Sequence, residues 1–243
     1  MIGLLVIIVI SWGLLYLIEK KHISVLGIIP NKMHCIQFLI GFLFIGIIML
    51  LWIYIETYIR AIIWQSKPIS YRSLLGSLFY HFKSALTEDL VFRGAILYIL
   101  IRKIGAKTGI LISALSFGIY HVFSYGMSFE KIIPILYVVL VTGFTGYVWA
   151  YTFEKTKSVS MGFGFHVGNN FILSCFFPSP VFGELILNEV SGLGFQDWSW
   201  LFFYIAKGLF PGILTLLFIK LMLKYSCKFM PTNAASSYKS DTQ

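Results

Sequence analysis

Long apolar runs, separated by short clusters of lysine and arginine, follow one another along most of the sequence. A helix needs roughly 20 mostly apolar residues to cross the hydrocarbon core of a bilayer. Hydrophobic residues make up 58% of the 243 residues and charged residues only 12%, whereas a soluble domain carries about 25% charged residues. So little charge cannot cover the surface of a soluble fold of this size. The sequence therefore predicts an all-α fold, a polytopic helical bundle in a membrane.

Composition and charge exclude several other classes of protein. Disordered chains are poor in aromatic residues, but this chain has 23 Phe and 14 Tyr. Three cysteines in a chain of 243 residues provide no disulfide framework. The net charge of +9 comes from basic clusters between the apolar runs, a pattern typical of loops held against anionic lipid head groups. We therefore expect the lipid bilayer as a partner, and no nucleic acid.

The apolar runs predict about eight transmembrane helices. We place them at 1–18, 35–55, 108–125, 132–153, 158–177 and 198–223, with two more inside 73–101 that meet near Thr87. The first run is expected to be a retained helix, because it has neither a basic start nor a small-residue cleavage site. A polar stretch is expected at 56–72 and a longer loop at 178–197.

Basic residues in the predicted loops indicate the orientation. The positive-inside rule places the loops at 102–107 and 153–157, and the C-terminus, in the cytoplasm. With eight spans the N-terminus is then cytoplasmic as well. One conflict with the rule follows, because the loop that carries Lys20, Lys21 and Lys32 would lie outside.

Three clusters of polar residues interrupt the apolar runs. An ionisable side chain at the bilayer centre costs about 2.5–3.5 kcal/mol, so such residues mark candidate sites. In the first cluster Asp89 and Arg93 are four residues apart on a helix and can form an ion pair. Glu88 is turned about 100° from Asp89, so it is free to face a cavity as a general base. The alternative is a structural ion pair between helices, with Glu88 near the head groups.

The other two clusters contain histidines. His121 lies inside the run 108–125, where a single histidine is more often a helix–helix hydrogen-bonding group than a catalyst. His166 and Asn170 are four residues apart and point from one helix face, which suits an oxyanion or metal site. Gly164 and Gly168 form a G-x-x-x-G step that allows a tight helix crossing, which is the structural alternative. We expect the three clusters to converge, because no other residues in the predicted spans are as polar.

The order of these motifs resembles the CAAX prenyl protease and bacteriocin-processing family, also called Abi. The motifs E-D-x-x-x-R, F-x-x-x-H and H-x-x-x-N match the family pattern at Glu88, Arg93, Phe117, His121, His166 and Asn170. Asp89 stands where the family commonly has a second Glu. We interpret it as a tolerated variant, because Asp keeps the charge and can still meet Arg93. The fold that the resemblance implies has roughly eight spans.

The resemblance implies an intramembrane endopeptidase of the type II CAAX prenyl protease kind. Such an enzyme hydrolyses a peptide bond of a membrane-associated or prenylated protein or peptide. Carried over to this sequence, Glu88 would activate the attacking water with the assistance of His121. His166 and Asn170 would hold the developing oxyanion. The pair Asp89 and Arg93 would support the catalytic residues without contacting the substrate.

The resemblance leaves the cofactor open. Whether a metal takes part is disputed for the family. Two histidines and a Glu could ligate zinc, but the sequence has no H-E-x-x-H, and the same residues could activate water unaided. No cofactor is therefore assigned, and we favour the metal-free mechanism.

We divide the chain into N-terminal transmembrane helices (1–72), a catalytic helical bundle (73–230) and a polar tail (231–243) that is expected to be disordered. The composition, rich in Ile, Lys and Phe, indicates a bacterial plasma membrane. Bacterial relatives are linked to bacteriocin maturation or self-immunity and to peptide-signal processing, so the substrate stays open. Two other functions also stay open. One is a non-catalytic membrane immunity or scaffold protein; the other is a small transporter with a proton relay, although no paired halves with broken helices are visible.

Overall fold

The computed structural model describes residues 2–130, 132–178 and 181–225. Its α-helices are α1 Ile2–Leu14, α2 Lys32–Ile59, α3 Tyr71–Arg93, α4 Ala95–Ile104, α5 Ala106–Ser124, α6 Ile132–Thr156, α7 Ser160–Phe176 and α8 Asp197–Tyr225. A π-helical turn, Leu15–Glu19, continues α1, and a 3-10 turn, Ile23–Leu26, precedes α2. Two short strands, β1 (Ile63–Ser66) and β2 (Leu187–Ser191), pair in antiparallel fashion. The tail predicted to be disordered, 231–243, lies outside the described residues.

The predicted fold class, a mostly helical membrane protein, is confirmed. Five helices are long and apolar enough to cross a membrane: α1 with its π turn, α2, α5, α6 and α8. The predicted number of about eight spans is therefore too high. Helix α4 has only 10 residues and α7 only 17, while α3 carries the polar cluster that contains Glu88. Of these three helices, α7 is mostly buried among the others, so it needs less apolar surface.

The break in the predicted segment 73–101 lies at Gly94 and not near Thr87. Helix α3 continues to Arg93, so the whole first polar cluster lies on one helix. The charged residues do not end the helix because they pack against other helices, as described below. A Cβ atom at Gly94 would collide with the carbonyl oxygen of Leu90. Only glycine therefore fits where α3 turns into α4.

Contacts between loops show which helix ends lie together. At the end of α4, Arg102 Nε lies 2.9 Å from Glu19 Oε2 and Lys103 Nζ lies 3.4 Å from Glu19 Oε1, at the end of α1. The backbone N–H of Val159 donates to the carbonyl of Leu26 at 2.9 Å. The loops after α1, α4 and α6 therefore share one end of the molecule, which we call the basic end. The two strands, and the starts of α3 and α8, lie at the other end, which we call the strand end.

This arrangement changes the predicted orientation. Helices α3 and α4 cross the bundle together, so the described residues make seven passages. The start of α1 then lies at the strand end and the end of α8 at the basic end. The predicted cytoplasmic N-terminus depended on an even number of spans, and the structure does not support it. Lys20, Lys21 and Lys32 now lie with the other basic loops, so the conflict with the positive-inside rule disappears.

We therefore expect the basic end to be cytoplasmic and the strand end to face outward. In a chain whose three cysteines are replaced, Val190→Cys on the exposed part of β2 should react with a membrane-impermeant maleimide in intact cells. Lys21→Cys should react only after the cytoplasmic face is opened. Labelling of both positions from the same side would contradict the seven passages.

The close packing of α7 against α2 positions the third polar cluster. These two helices share the most extensive contact among the described elements. A Cβ at Gly168 would lie 2.8 Å from the carbonyl oxygen of Phe42, and one at Gly164 would collide with that of Phe38. The backbones thus approach as closely as the predicted G-x-x-x-G step allows. With its glycine face against α2, α7 presents His166 toward α3.

Candidate active site

Glu88, His121 and His166 meet from α3, α5 and α7. The distance from Glu88 Oε2 to His121 Nε2 is 4.0 Å, and that to His166 Nε2 is 3.7 Å. Together with Asn170 these side chains line one cavity of about 470 Å³, whose walls are completed by residues of α2, α6 and α8. The structure thus brings the three polar clusters of the sequence to one place.

The orientation of His121 is set by the residue one turn before it. Its Nδ1 lies 2.8 Å from the carbonyl oxygen of Phe117. A carbonyl oxygen only accepts, so Nδ1 carries a proton and donates it. In a neutral ring Nε2 then has a free lone pair, and this atom faces Glu88. The spacing F-x-x-x-H therefore corresponds to a local hydrogen bond that presents an acceptor to the cavity.

The gap between Glu88 and His121 has the size of a bridging water. Two polar atoms 4.0 Å apart are too far apart for a direct hydrogen bond. A water about 2.8 Å from each atom could donate one hydrogen to each. The other carboxylate oxygen, Glu88 Oε1, accepts a long hydrogen bond of 3.5 Å from Ser84 Oγ. This contact leaves Oε2 directed toward the histidines.

His166 lies against the predicted ion pair. Its Nδ1 is 3.4 Å from Asp89 Oδ2, and Asp89 Oδ1 is 2.6 Å from Arg93 Nη2. Asp89 and Arg93 are each only 2% exposed, and neither lines the cavity. The guanidinium lies 4.0 Å from the ring centre of Phe117 and 5.1 Å from that of Trp149, which adds cation–π attraction. The ion pair therefore holds His166 from the side away from the cavity.

Asn170 follows His166 by one turn of α7 and lines the same cavity. Asn169 Nδ2 donates to Asn170 Oδ1 at 3.1 Å. Because its carbonyl oxygen is occupied in this way, the amide of Asn170 has N–H groups to offer. An acceptor in the cavity can therefore meet donors from two successive turns of one helix.

The cavity also contains residues that the sequence analysis did not single out. Lys207 of α8 lines it, as do Ser124, Tyr125, Tyr137, Thr142, Thr145, Asn169, Tyr204 and Thr215. Lys207 lies within the apolar run 198–223, so the cost of an intramembrane charge was a usable signal. The expectation that no other residue of the spans is as polar was wrong. The hydroxyl groups gave no signal, because isolated Ser, Thr and Tyr carry no charge.

Lys207 belongs to a charge network at the strand end. Its Nζ lies 2.8 Å and 2.9 Å from the two carboxylate oxygens of Glu56, which is fully buried within α2. Glu56 also accepts from Arg60 Nη1 at 3.0 Å and from Trp52 Nε1 at 3.1 Å. Arg60 reaches Glu189 of β2 at 2.6 Å. The predicted polar stretch therefore begins inside α2, and its charges join α2, α8 and the strands.

The residues around Glu88 do not fit a metal ion. Within residues 2–130, 132–178 and 181–225, no group of three or more His, Cys, Asp or Glu side chains is arranged to hold one. Zinc ligands converge on a point about 2.0–2.2 Å from each donor atom. The separations of 3.7 Å and 4.0 Å are wider than tetrahedral N and O ligands require and suit a water better. We therefore derive no step through a metal.

Comparison with known proteins finds a family model that matches part of the chain. Residues 70–172 match the family model described as type II CAAX prenyl endopeptidase Rce1-like. No curated protein and no solved structure matches the chain. The matched region contains the three motifs, and it excludes Lys207. The match over residues 70–172 of this integral membrane protein supports its resemblance to the Rce1-like type II CAAX prenyl endopeptidases, a family of intramembrane proteases.

Proposed function

We propose that the protein is an intramembrane endopeptidase of the bacterial plasma membrane that hydrolyses a peptide bond with a water activated by Glu88. Its substrate is a membrane-associated or prenylated protein or peptide. The observation that carries the proposal is the approach of Glu88 Oε2 to within 4.0 Å of His121 Nε2 and 3.7 Å of His166 Nε2 in one cavity. Amide hydrolysis needs a base, a positioned water and donors for the oxyanion, and these residue types can supply all three.

The first step is attack of the water on the peptide carbonyl. The water donates one hydrogen to Glu88 Oε2 and the other to His121 Nε2. Glu88 takes the proton as the oxygen bonds to the carbonyl carbon. The hydrogen bond from His121 Nδ1 to the Phe117 carbonyl at 2.8 Å fixes the ring so that Nε2 faces the water. Its role is to orient the lone pair of the water toward the substrate.

The oxyanion of the tetrahedral intermediate accepts hydrogen bonds from His166 and Asn170. His166 Nδ1 lies 3.4 Å from Asp89 Oδ2, on the side away from the cavity, so Nε2 is the ring nitrogen that faces the oxyanion. Asp89 and Arg93 form an ion pair at 2.6 Å, so together they add no net charge beside the ring.

The intermediate collapses when the carbon–nitrogen bond breaks. Glu88 returns its proton to the departing nitrogen, which leaves as an amine, and the other product is a carboxylic acid. The atoms therefore balance with one water consumed and no other reactant. Glu88 is ionised again at the end of the cycle and can accept the next water.

Activity tests the proposal directly. The purified protein in phospholipid vesicles is incubated with peptides that end in a cysteine followed by three aliphatic residues. The cysteine is farnesylated in one set and unmodified in the other. Mass spectrometry identifies any cleaved bond. Cleavage that depends on Glu88, as argued in the Discussion, supports the endopeptidase, and a protein that leaves every peptide intact contradicts it.

We expect the cleavage to persist after strong chelation. The donors around Glu88 do not converge as metal ligands do, so removal of an exchangeable divalent ion should leave the rate within about twofold. The measurement compares rates before and after dialysis against a zinc chelator, with zinc re-addition as the control. A loss on chelation that zinc restores would contradict the metal-free mechanism.

A further inference from the structure

Lys207 places an ammonium group at the wall of the cavity that contains Glu88. It is the one Lys or Arg among the described residues that line this cavity. It belongs to α8, outside the region that matches the family. The mechanism of hydrolysis makes no use of it. A cation in a membrane-embedded cavity is costly, so Lys207 needs a counter-ion.

Glu56 neutralises Lys207 only in part. The two oxygens of this carboxylate lie 2.8 Å and 2.9 Å from Lys207 Nζ, and one of them also lies 3.0 Å from Arg60 Nη1. Glu56, Lys207 and Arg60 together carry one excess positive charge. The carboxylate that balances this charge is that of Glu189, which contacts Arg60 at 2.6 Å at the strand end. An ammonium group has three N–H donors, and the two oxygens of Glu56 accept at most two of them, so at least one remains for the cavity.

Aromatic rings restrict where the ammonium group can go. Lys207 Nζ lies 4.3 Å from the ring centre of Phe177 and 5.8 Å from that of Tyr204. The side chain is 21% exposed, so part of it is open to the cavity. Rings and carboxylate together hold a flexible side chain in one place. A ligand that docks there finds a preorganised donor and does not have to order it.

We propose that Lys207 binds a carboxylate of the peptide substrate, and in particular the carboxylate at its C-terminus. This inference rests on the endopeptidase function proposed above. A peptide end that enters the cavity brings a carboxylate that loses its water shell, and a charge-assisted hydrogen bond to Lys207 offsets that loss. The scissile carbonyl lies at Glu88 while the chain end lies at Lys207.

This placement has a consequence for the bond that is cut. Glu88 of α3 and Lys207 of α8 line the same cavity and belong to two different helices. The number of residues between the scissile bond and the C-terminus is therefore set by the distance between the two side chains.

The test uses one farnesylated peptide in three forms: a free C-terminal carboxylate, a C-terminal amide, and an amide whose last residue is glutamate. For the wild-type protein we expect kcat/KM to be about tenfold higher for the free acid than for the amide, which is the range of one charge-assisted hydrogen bond. Lys207→Met should remove the preference, so that the ratio of the acid value to the amide value falls to about one. A partial recovery with the glutamate amide would show that a side-chain carboxylate also binds.

Controls separate this inference from the proposed function. Lys220→Met removes an exposed lysine of the same helix and should leave the ratio of acid to amide unchanged. Binding of the uncleaved peptides to a Glu88→Gln protein gives a second readout that needs no hydrolysis, and it covers the case in which Lys207→Met does not fold. Equal affinity of that protein for acid and amide overturns the role of Lys207. Absence of cleavage with preserved discrimination overturns the protease and leaves the carboxylate site standing.

Discussion

Glu88→Gln is expected to lower the rate of peptide cleavage by about 1,000-fold or more, within the 10²–10⁴-fold range of general acid–base catalysis. Glutamine has nearly the same shape but cannot accept the proton of the attacking water. It also cannot return a proton to the departing amine, so both halves of the reaction are affected. KM should change little, because the substrate contacts around the cavity stay in place. The measurement is single-turnover cleavage by purified protein in vesicles.

Folding should not be affected by this substitution. Glu88 is 20% exposed and its nearest hydrogen-bond partner is Ser84 at 3.5 Å, so little structure depends on its charge. Glu130→Gln, in an exposed turn outside the cavity, is the matched control and should retain full activity. A scaffold or immunity protein would tolerate Glu88→Gln without loss of its phenotype. Full cleavage by the Glu88→Gln protein would falsify the catalytic role.

The sequence predicted the site better than the path of the chain. Glu88, His121 and His166 were identifiable because charge and imidazole are expensive in lipid, and their spacings encode local contacts such as the bond from His121 to the Phe117 carbonyl. The same reasoning from the cost of polar residues led to a wrong division of the segment 73–101. Polar residues suggested a break near Thr87, but tertiary packing buries them, and the helix ends where a glycine is sterically required.

The remaining differences come from pairs of residues that are distant in sequence. Glu56 and Glu189 belong to segments interpreted as polar loops, yet they meet Arg60 to join α2 to β2. Hydropathy along one segment cannot show such a partner. The strands β1 and β2 are short and separated by more than a hundred residues, so no local alternation identified them. Like Glu88, Lys207 is a charged residue within an apolar run, which marks a candidate site, but it belongs to none of the motifs.

Asp89→Asn is expected to lower the free energy of unfolding by about 3–5 kcal/mol, because it leaves a buried cation without its counter-ion. Arg93 is 2% exposed and its Nη2 lies 2.6 Å from Asp89 Oδ1. The aromatic rings of Phe117 and Trp149 stabilise the guanidinium, but they do not neutralise it. The measurement is denaturation in mixed micelles. Glu184→Gln, which breaks the exposed pair with Lys67 at 3.2 Å, is the matched control and should cost less than about 1 kcal/mol.

Two further variants separate charge balance from shape. Adding Arg93→Met to Asp89→Asn removes both charges, so most of the lost stability should return. Activity should not return, because His166 then lacks the carboxylate 3.4 Å from its Nδ1 that orients its ring. Asp89→Glu keeps the charge and restores the acid that the family commonly has, and it should keep both stability and cleavage. If the double variant were as unstable as Asp89→Asn alone, the cost would come from lost packing and not from an unpaired charge.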